Sequence, residues 1–113
     1  MVGGQSNSSP SSCSFIGSGN HNAVSGDLSF IGGGFNNCIA RSSPFNHIGG
    51  GGNNCVVNGA KYSSISAGEN NLIYIGDHSF IGSGANNQIC NSLCSIIGGG
   101  AINFIASGSC ASQ

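Results

Sequence analysis

The stretch Ser29-Phe30-Ile31-Gly32-Gly33-Gly34-Phe35-Asn36-Asn37-Cys38-Ile39 joins two short runs of strand-forming residues through a glycine corner, and the chain writes it again and again. Counting each copy from its first aliphatic residue, taken as position 0, sets Ile16, Ile31, Ile48, Ile65, Ile81 and Ile97 at spacings of 15, 17, 17, 16 and 16 residues. Position +3 is always glycine: Gly19, Gly34, Gly51, Gly68, Gly84 and Gly100. Position +6 is always asparagine: Asn22, Asn37, Asn54, Asn71, Asn87 and Asn103. Position +8 is always a β-branched aliphatic: Val24, Ile39, Val56, Ile73, Ile89 and Ile105. A fixed period of this length marks a repeat architecture in which each copy stacks on the last.

Outward from this stretch, the first residues read as a weaker copy, with Val2 at position 0 and Gly3-Gly4 at the corner. The chain stops at Gln113, about where another position 0 falls, so Gln113 followed by Val2 of a second subunit would continue the repeat almost in phase. Nothing interrupts the period, and residues 1–113 read as a single repeat domain. Helices are excluded, because no apolar stripe of period 3.6 appears and glycine recurs too often. Short strands bounded by Gly, Asn and Ser clusters fit throughout. The expected fold is all-β: a β-solenoid, β-roll or β-helix, of about seven coils stacked at the strand spacing of roughly 4.8 Å.

Composition narrows the function classes. Only 4% of residues are charged, against about 25% in an ordinary domain. Arg41 and Lys61 are the only lysine or arginine side chains, which argues against a nucleic-acid surface. No apolar run approaches the about 20 residues of a membrane-spanning helix, and the N-terminus lacks the charged-then-apolar pattern of a signal peptide. A mature form, a fragment and a virion protein all fit that pattern.

Each column has a structural reading. A corner in a narrow coil asks for φ > 0, which glycine adopts cheaply. Stacked asparagines at +6 are expected to hydrogen-bond up and down as an amide ladder. Aliphatics at 0 and +8 are expected to fill the inside. Neighbouring residues in a strand point to opposite faces, so the residues before position 0 point out: Phe15, Phe30, His47, Ser64, Phe80 and Ile96. The +7 column, Ala23, Cys38, Cys55, Leu72, Gln88 and Phe104, does likewise. Apolar outer faces mark interaction sites. Phe15, Phe30, Phe80, Ile96 and Phe104 are therefore expected to form a lateral interface between identical chains, with a three-fold bundle as the closed arrangement. Bare strand edges at both ends suggest head-to-tail polymerisation into an open filament.

Cys38 and Cys55 share the +7 column in adjacent coils, and a disulfide between them is expected alongside the alternative of free thiols acting as small hydrophobes. Cys13, Cys94 and Cys110 share a column just before position 0, so Cys110 or Cys94 is a candidate to pair with Cys13 across a junction of subunits. Cys90 fits neither group. His21, His47 and His78 fall in three different columns, and no second cysteine pair follows Cys90 and Cys94 at zinc-ligand spacing. No metal or cofactor is expected. Two of the three acids, Asp27 and Asp77, lie in return loops, and no repeat pairs carboxylates for catalysis. Asn7-Ser8-Ser9 is a glycosylation sequon.

The pattern Ser-Phe-Ile-Gly-Gly-Gly-x-Asn-Asn-x-Ile resembles the repeats of trimeric adhesin heads and of phage and large-virus fibre proteins, over essentially the whole chain. That resemblance implies a trimeric β-roll or β-helix on a cell or virion surface, binding a host-cell ligand at its tip or sides. Left-handed hexapeptide acyltransferases are the enzyme alternative, but their aliphatics recur every six residues, where this chain has asparagine. Ice binding through threonine arrays does not suit a chain without threonine. The sequence thus leads to a non-enzymatic structural subunit of an extracellular or virion filament, or an adhesive segment of a larger trimeric fibre.

Overall fold

The computed structural model describes residues 3–108. Every regular element is a short strand. One six-stranded parallel sheet contains β1 (Phe15–Ile16), β3 (Phe30–Ile31), β5 (His47–Ile48), β7 (Ser64–Ile65), β9 (Phe80–Ile81) and β11 (Ile96–Ile97). The other contains β2 (Ala23–Val24), β4 (Cys38–Ile39), β6 (Cys55–Val57), β8 (Leu72–Tyr74), β10 (Gln88–Ser92) and β12 (Phe104–Gly108). Each coil gives one strand to each sheet, and equivalent repeat positions pair directly, as in Ile31 with Ile48 and Ile39 with Val56. A third line of backbone bridges runs through Gln5, Asn20, Phe35, Gly52, Glu69, Ala85 and Ala101. The fold is a β-solenoid of six full turns.

The inward aliphatics at positions 0 and +8 form one core, all fully buried except Ile105, which is 5% exposed. Each such side chain stabilises the fold by about 1.5–3 kcal/mol over leaving it in water. Two sheets therefore share a thin interior filled from both sides, and their other faces point away from it.

One expectation needs correction and a second is extended. The first copy is one residue out of the expected register. Gly4 takes the corner conformation at φ 89°, Gln5 bridges Asn20 and Ser8 bridges Ala23, and Asn22 N–H donates to Asn7 Oδ1 at 2.9 Å. Gly4 and Asn7 thus hold positions +3 and +6, one residue earlier than a copy counted from Val2 would place them. Backbone demands at the corner and ladder outweigh the single aliphatic side chain that suggested the other register. A seventh coil is present only as this partial layer, and Val2, Cys110 and Gln113 lie outside the described residues.

The asparagine column forms the expected amide ladder at three of its steps and adds backbone partners throughout. Each Oδ1 accepts the backbone N–H of the next asparagine, as in Asn54 to Asn37 at 3.0 Å and Asn71 to Asn54 at 3.0 Å. From Asn7 to Asn87 each Nδ2 donates twice to backbone: Asn54 to Gly50 O at 3.0 Å within its coil and to Gly68 O at 2.9 Å in the next. Amide-to-amide contacts at 3.1 Å accompany this at Asn37, Asn71 and Asn103. The side chain completes hydrogen bonds that the turning backbone leaves open, which a buried peptide group requires.

A second polar ladder runs through position −2. Ser29, Asn46, Ser63, Ser79 and Ser95 are all buried, and each of the first four accepts from the backbone N–H of the next: Asn46 to Ser29 Oγ at 3.0 Å, Ser63 to Asn46 Oδ1 at 2.7 Å, Ser79 to Ser63 Oγ at 3.0 Å and Ser95 to Ser79 Oγ at 3.3 Å. Both ladders follow a residue with left-handed backbone. At position +5 these are His21, Asn36, Asn53, Asn70, Asn86 and Ile102, with φ from 56° to 59°. At −3 they are Cys13, Leu28, Phe45, Tyr62, His78 and Cys94, with φ from 52° to 60°. Each coil is therefore two similar halves: a left-handed residue, a buried polar one, an outward one, then an inward aliphatic. Asparagine tolerates the left-handed region best, which explains the Asn-Asn doublets.

Candidate functional site

With the inside filled, the chemistry available to other molecules lies on the outward columns. Position −1 of the first sheet stacks Phe15 on Phe30 at 5.2 Å between ring centroids, and Phe30 on His47 at 5.0 Å. His47 Nδ1 lies 3.2 Å from Ser64 Oγ, and Phe80 and Ile96 extend the column. The five residues expected at a lateral interface are 37 to 55% exposed. Four of them share this face. Phe104 belongs to the outer face of the second sheet, beside Gln88, so the expected single interface is divided between opposite sides.

A second aromatic column escaped the sequence reading. The left-handed backbone at −3 turns its side chains outward, where Phe45 stacks on Tyr62 at 4.8 Å and Tyr62 on His78 at 5.1 Å. The signal was the recurrence of Leu28, Phe45, Tyr62 and His78 at one repeat position. The three histidines do fall in three columns, +5, −1 and −3, and among the described residues no group of three His, Cys, Asp or Glu side chains is placed to hold a metal together. Asp27 and Asp77 occupy the same place in their return loops, where Oδ1 accepts the N–H of Ser12 at 3.2 Å and of Lys61 at 2.8 Å. They act as turn acceptors for the preceding coil. Asn7, the sequon residue, belongs to the ladder, with Nδ2 donating to Gly3 O and Gly19 O at 2.9 Å.

The second sheet carries the cysteines. Cys38 and Cys55 are direct partners across β4 and β6. Both are half-buried and both thiols are free, so the expected bridge is not formed. Parallel in-register strands hold paired Cβ atoms about one strand spacing apart, roughly 4.8 Å, beyond the about 3.5–4.5 Å a disulfide accepts. Cys13 and Cys94 do share a column, at −3, and stand five coils apart. Of the two partners proposed for Cys13 across a junction of subunits, Cys94 and Cys110, the second lies outside the described residues. Cys90 sits at +9 with its Sγ 3.9 Å from Gln88 Oε1.

The paired thiols differ in acidity. A hydrogen bond from the Cys55 thiol lowers Cys38 from 9.0 to about 7, against the opposing effect of burial. Cys55 is raised, by that same hydrogen bond, by burial and by the charge on Cys38. Burial raises Cys90 above its ordinary 9.0. Thiolate is the reactive form, so alkylation of Cys38 by iodoacetamide is expected to rise through about pH 7, and that of Cys90 only in more alkaline solution. Peptide mass spectrometry across pH checks this; coincident profiles for the two residues would contradict the arrangement. Replacement of Cys55 by alanine should return Cys38 toward ordinary thiol behaviour.

No protein-family model matches the chain, and no curated protein is similar enough to count as a relative.

Proposed function

We propose that this chain is a structural subunit of a self-assembling fibre on an extracellular or virion surface, with no catalytic role. Copies pack side by side through the −1 aromatic column, a three-fold bundle being the closed form, and stack end to end through their coils. The observation that carries this reading is the exposed column of stacked rings from Phe15 to His47, followed beyond Ser64 by Phe80 and Ile96. Exposed apolar surface of this kind is retained where another surface covers it. End-to-end stacking is supported by the sameness of the coils: each offers its neighbour the same backbone groups and the same asparagine and serine acceptors, so a coil of one copy suits a coil of another. A contact of that kind does not close on itself and propagates as a filament.

A second reading, an adhesive or receptor-binding segment of a larger trimeric fibre, is favoured by the Phe45–Tyr62–His78 column. It occupies a different edge and would stay exposed when the −1 column is packed.

Electron microscopy of the purified chain at high concentration is expected to show long filaments; discrete particles alone would overturn end-to-end stacking. Changing Phe30 and Phe80 together to aspartate is expected to weaken lateral association by at least about tenfold, since each buried phenylalanine is worth about 1.5–3 kcal/mol. Sedimentation velocity reads this directly, and unchanged species would place the lateral contact elsewhere.

A further inference from the structure

We infer that Cys38 and Cys55 form a two-coordinate thiolate site for a soft monovalent cation, of which copper(I) is the biological representative, on the outer face of the second sheet. The pair sits in parallel register on adjacent strands, and both side chains leave the same face. Their Cα–Cβ bonds run parallel roughly one strand spacing apart, about 4.8 Å, and the hydrogen bond between the thiols turns the two sulfurs toward each other. Two metal–sulfur bonds of about 2.3 Å, the length in zinc thiolates, placed end to end span about 4.6 Å. Rotation about the two Cα–Cβ bonds brings the sulfurs to that separation, so a linear sulfur–metal–sulfur bridge needs no movement of the backbone.

Donor count and softness select the metal. Among the described residues no third His, Cys, Asp or Glu joins the pair, which leaves zinc two ligands short of its tetrahedral set. Soft thiolates favour copper(I), and silver(I) takes the same linear geometry. Cys90 lies two coils beyond Cys55 and one outward column over, and Cys13 is on a different edge of the coil. Three flanks are apolar: Ala23 and Leu72 lie on either side in the same column, and Ala40 and Val57 lie two residues further along the chain; on the fourth side Asn36 and Asn53 are hydrogen-bonded to each other. Such surroundings shed water and disfavour hard, hydrated cations.

Binding forms two metal–sulfur bonds and sends both thiol protons to solvent. The metal keeps its oxidation state, so no oxidant or reductant is consumed.

The test uses the full chain with Cys13, Cys90, Cys94 and Cys110 changed to serine, reduced and titrated with silver(I), and with copper(I) against a chromophoric chelator. A single bound ion per chain is expected, with X-ray absorption showing two sulfur neighbours. Cys38→Ser or Cys55→Ser in that background should weaken binding by at least about a hundredfold, the gain expected from a second tethered ligand. Unchanged affinity in either variant, or a third sulfur in the first shell, would overturn the site. Should the substituted chain fail to fold, the unsubstituted chain decides: an equimolar amount of silver(I) should shield Cys38 and Cys55 together from alkylation while Cys13 and Cys90 stay open. Shielding of the latter two in their place would reject the proposal.

Discussion

Gly51→Ala is expected to cost about 2–5 kcal/mol, while the same change at its neighbour Gly50 costs less than about 1 kcal/mol. Gly51 has φ 90°, and a Cβ added there would lie 2.1 Å from the Gly68 carbonyl oxygen and 2.9 Å from both Gly68 N and Asn54 Nδ2. The obstacle is the backbone of the next coil, which cannot rotate away as a side chain would. Left-handed geometry alone costs an L-residue about 1–2 kcal/mol, and overpacking adds about 1–3 kcal/mol. At Gly50 a Cβ meets nothing within 4 Å and φ is not positive. Against a total stability of about 5–15 kcal/mol for a native domain, the first change is severe and the second minor. Urea unfolding of the two variants checks this. Equal midpoints would mean that the corner column is not held by the close approach of successive coils.

Asn54→Ala is expected to cost a similar amount, about 3–5 kcal/mol, through a different cause. The fully buried amide satisfies three backbone groups: the N–H of Asn71 and the carbonyls of Gly50 and Gly68. Truncation leaves all three without that partner, at about 1–3 kcal/mol each before relaxation. The adjacent Asn53 is exposed, and its alanine variant should lose the preference of asparagine for left-handed backbone and a solvent-exposed hydrogen bond from Asn36 Nδ2 at 2.7 Å, about 1 kcal/mol in all. Asn54→Asp separates hydrogen bonding from size. The introduced carboxyl keeps one acceptor oxygen but turns the other toward two carbonyl oxygens, which disfavours its charged form and raises its folded pKa above the unfolded value of about 3.9. The protein with this change should therefore be most stable below about pH 4 and lose stability as pH rises, because the unfolded chain ionises first. Thermal unfolding from acid to neutral pH reads the slope; a flat profile would mean that the column is not closed to water.

The columns that could be read directly are those whose demands are local and repeated. A glycine recurring at +3 reports a backbone angle, and aliphatics at 0 and +8 report alternation in two strands. Both survive because each coil imposes the same constraint on its own residues. The serine and Asn46 ladder at −2 was hidden, because serine is common in this chain and its burial depends on the left-handed residue before it. Leu28, Phe45 and Tyr62 have no intrinsic taste for that conformation; they hold it because the coils on either side supply the hydrogen bonds. The same dependence concealed the outward Phe45–Tyr62 stack and the separation of Phe104 from Phe15, Phe30, Phe80 and Ile96.

By itself, then, the amino-acid order determined the period, the glycine corners, the inward aliphatics and the all-β solenoid. Only the stacked chain decided the register of the first layer, the backbone partners of each buried amide, and the face on which each outward ring sits. It also decided that Cys38 and Cys55 stand opposite one another as thiols. The reason is one of distance: a local sequence sets torsion angles, whereas hydrogen bonds and sulfur separations between coils are set by strand spacing, which exists only once the layers are assembled.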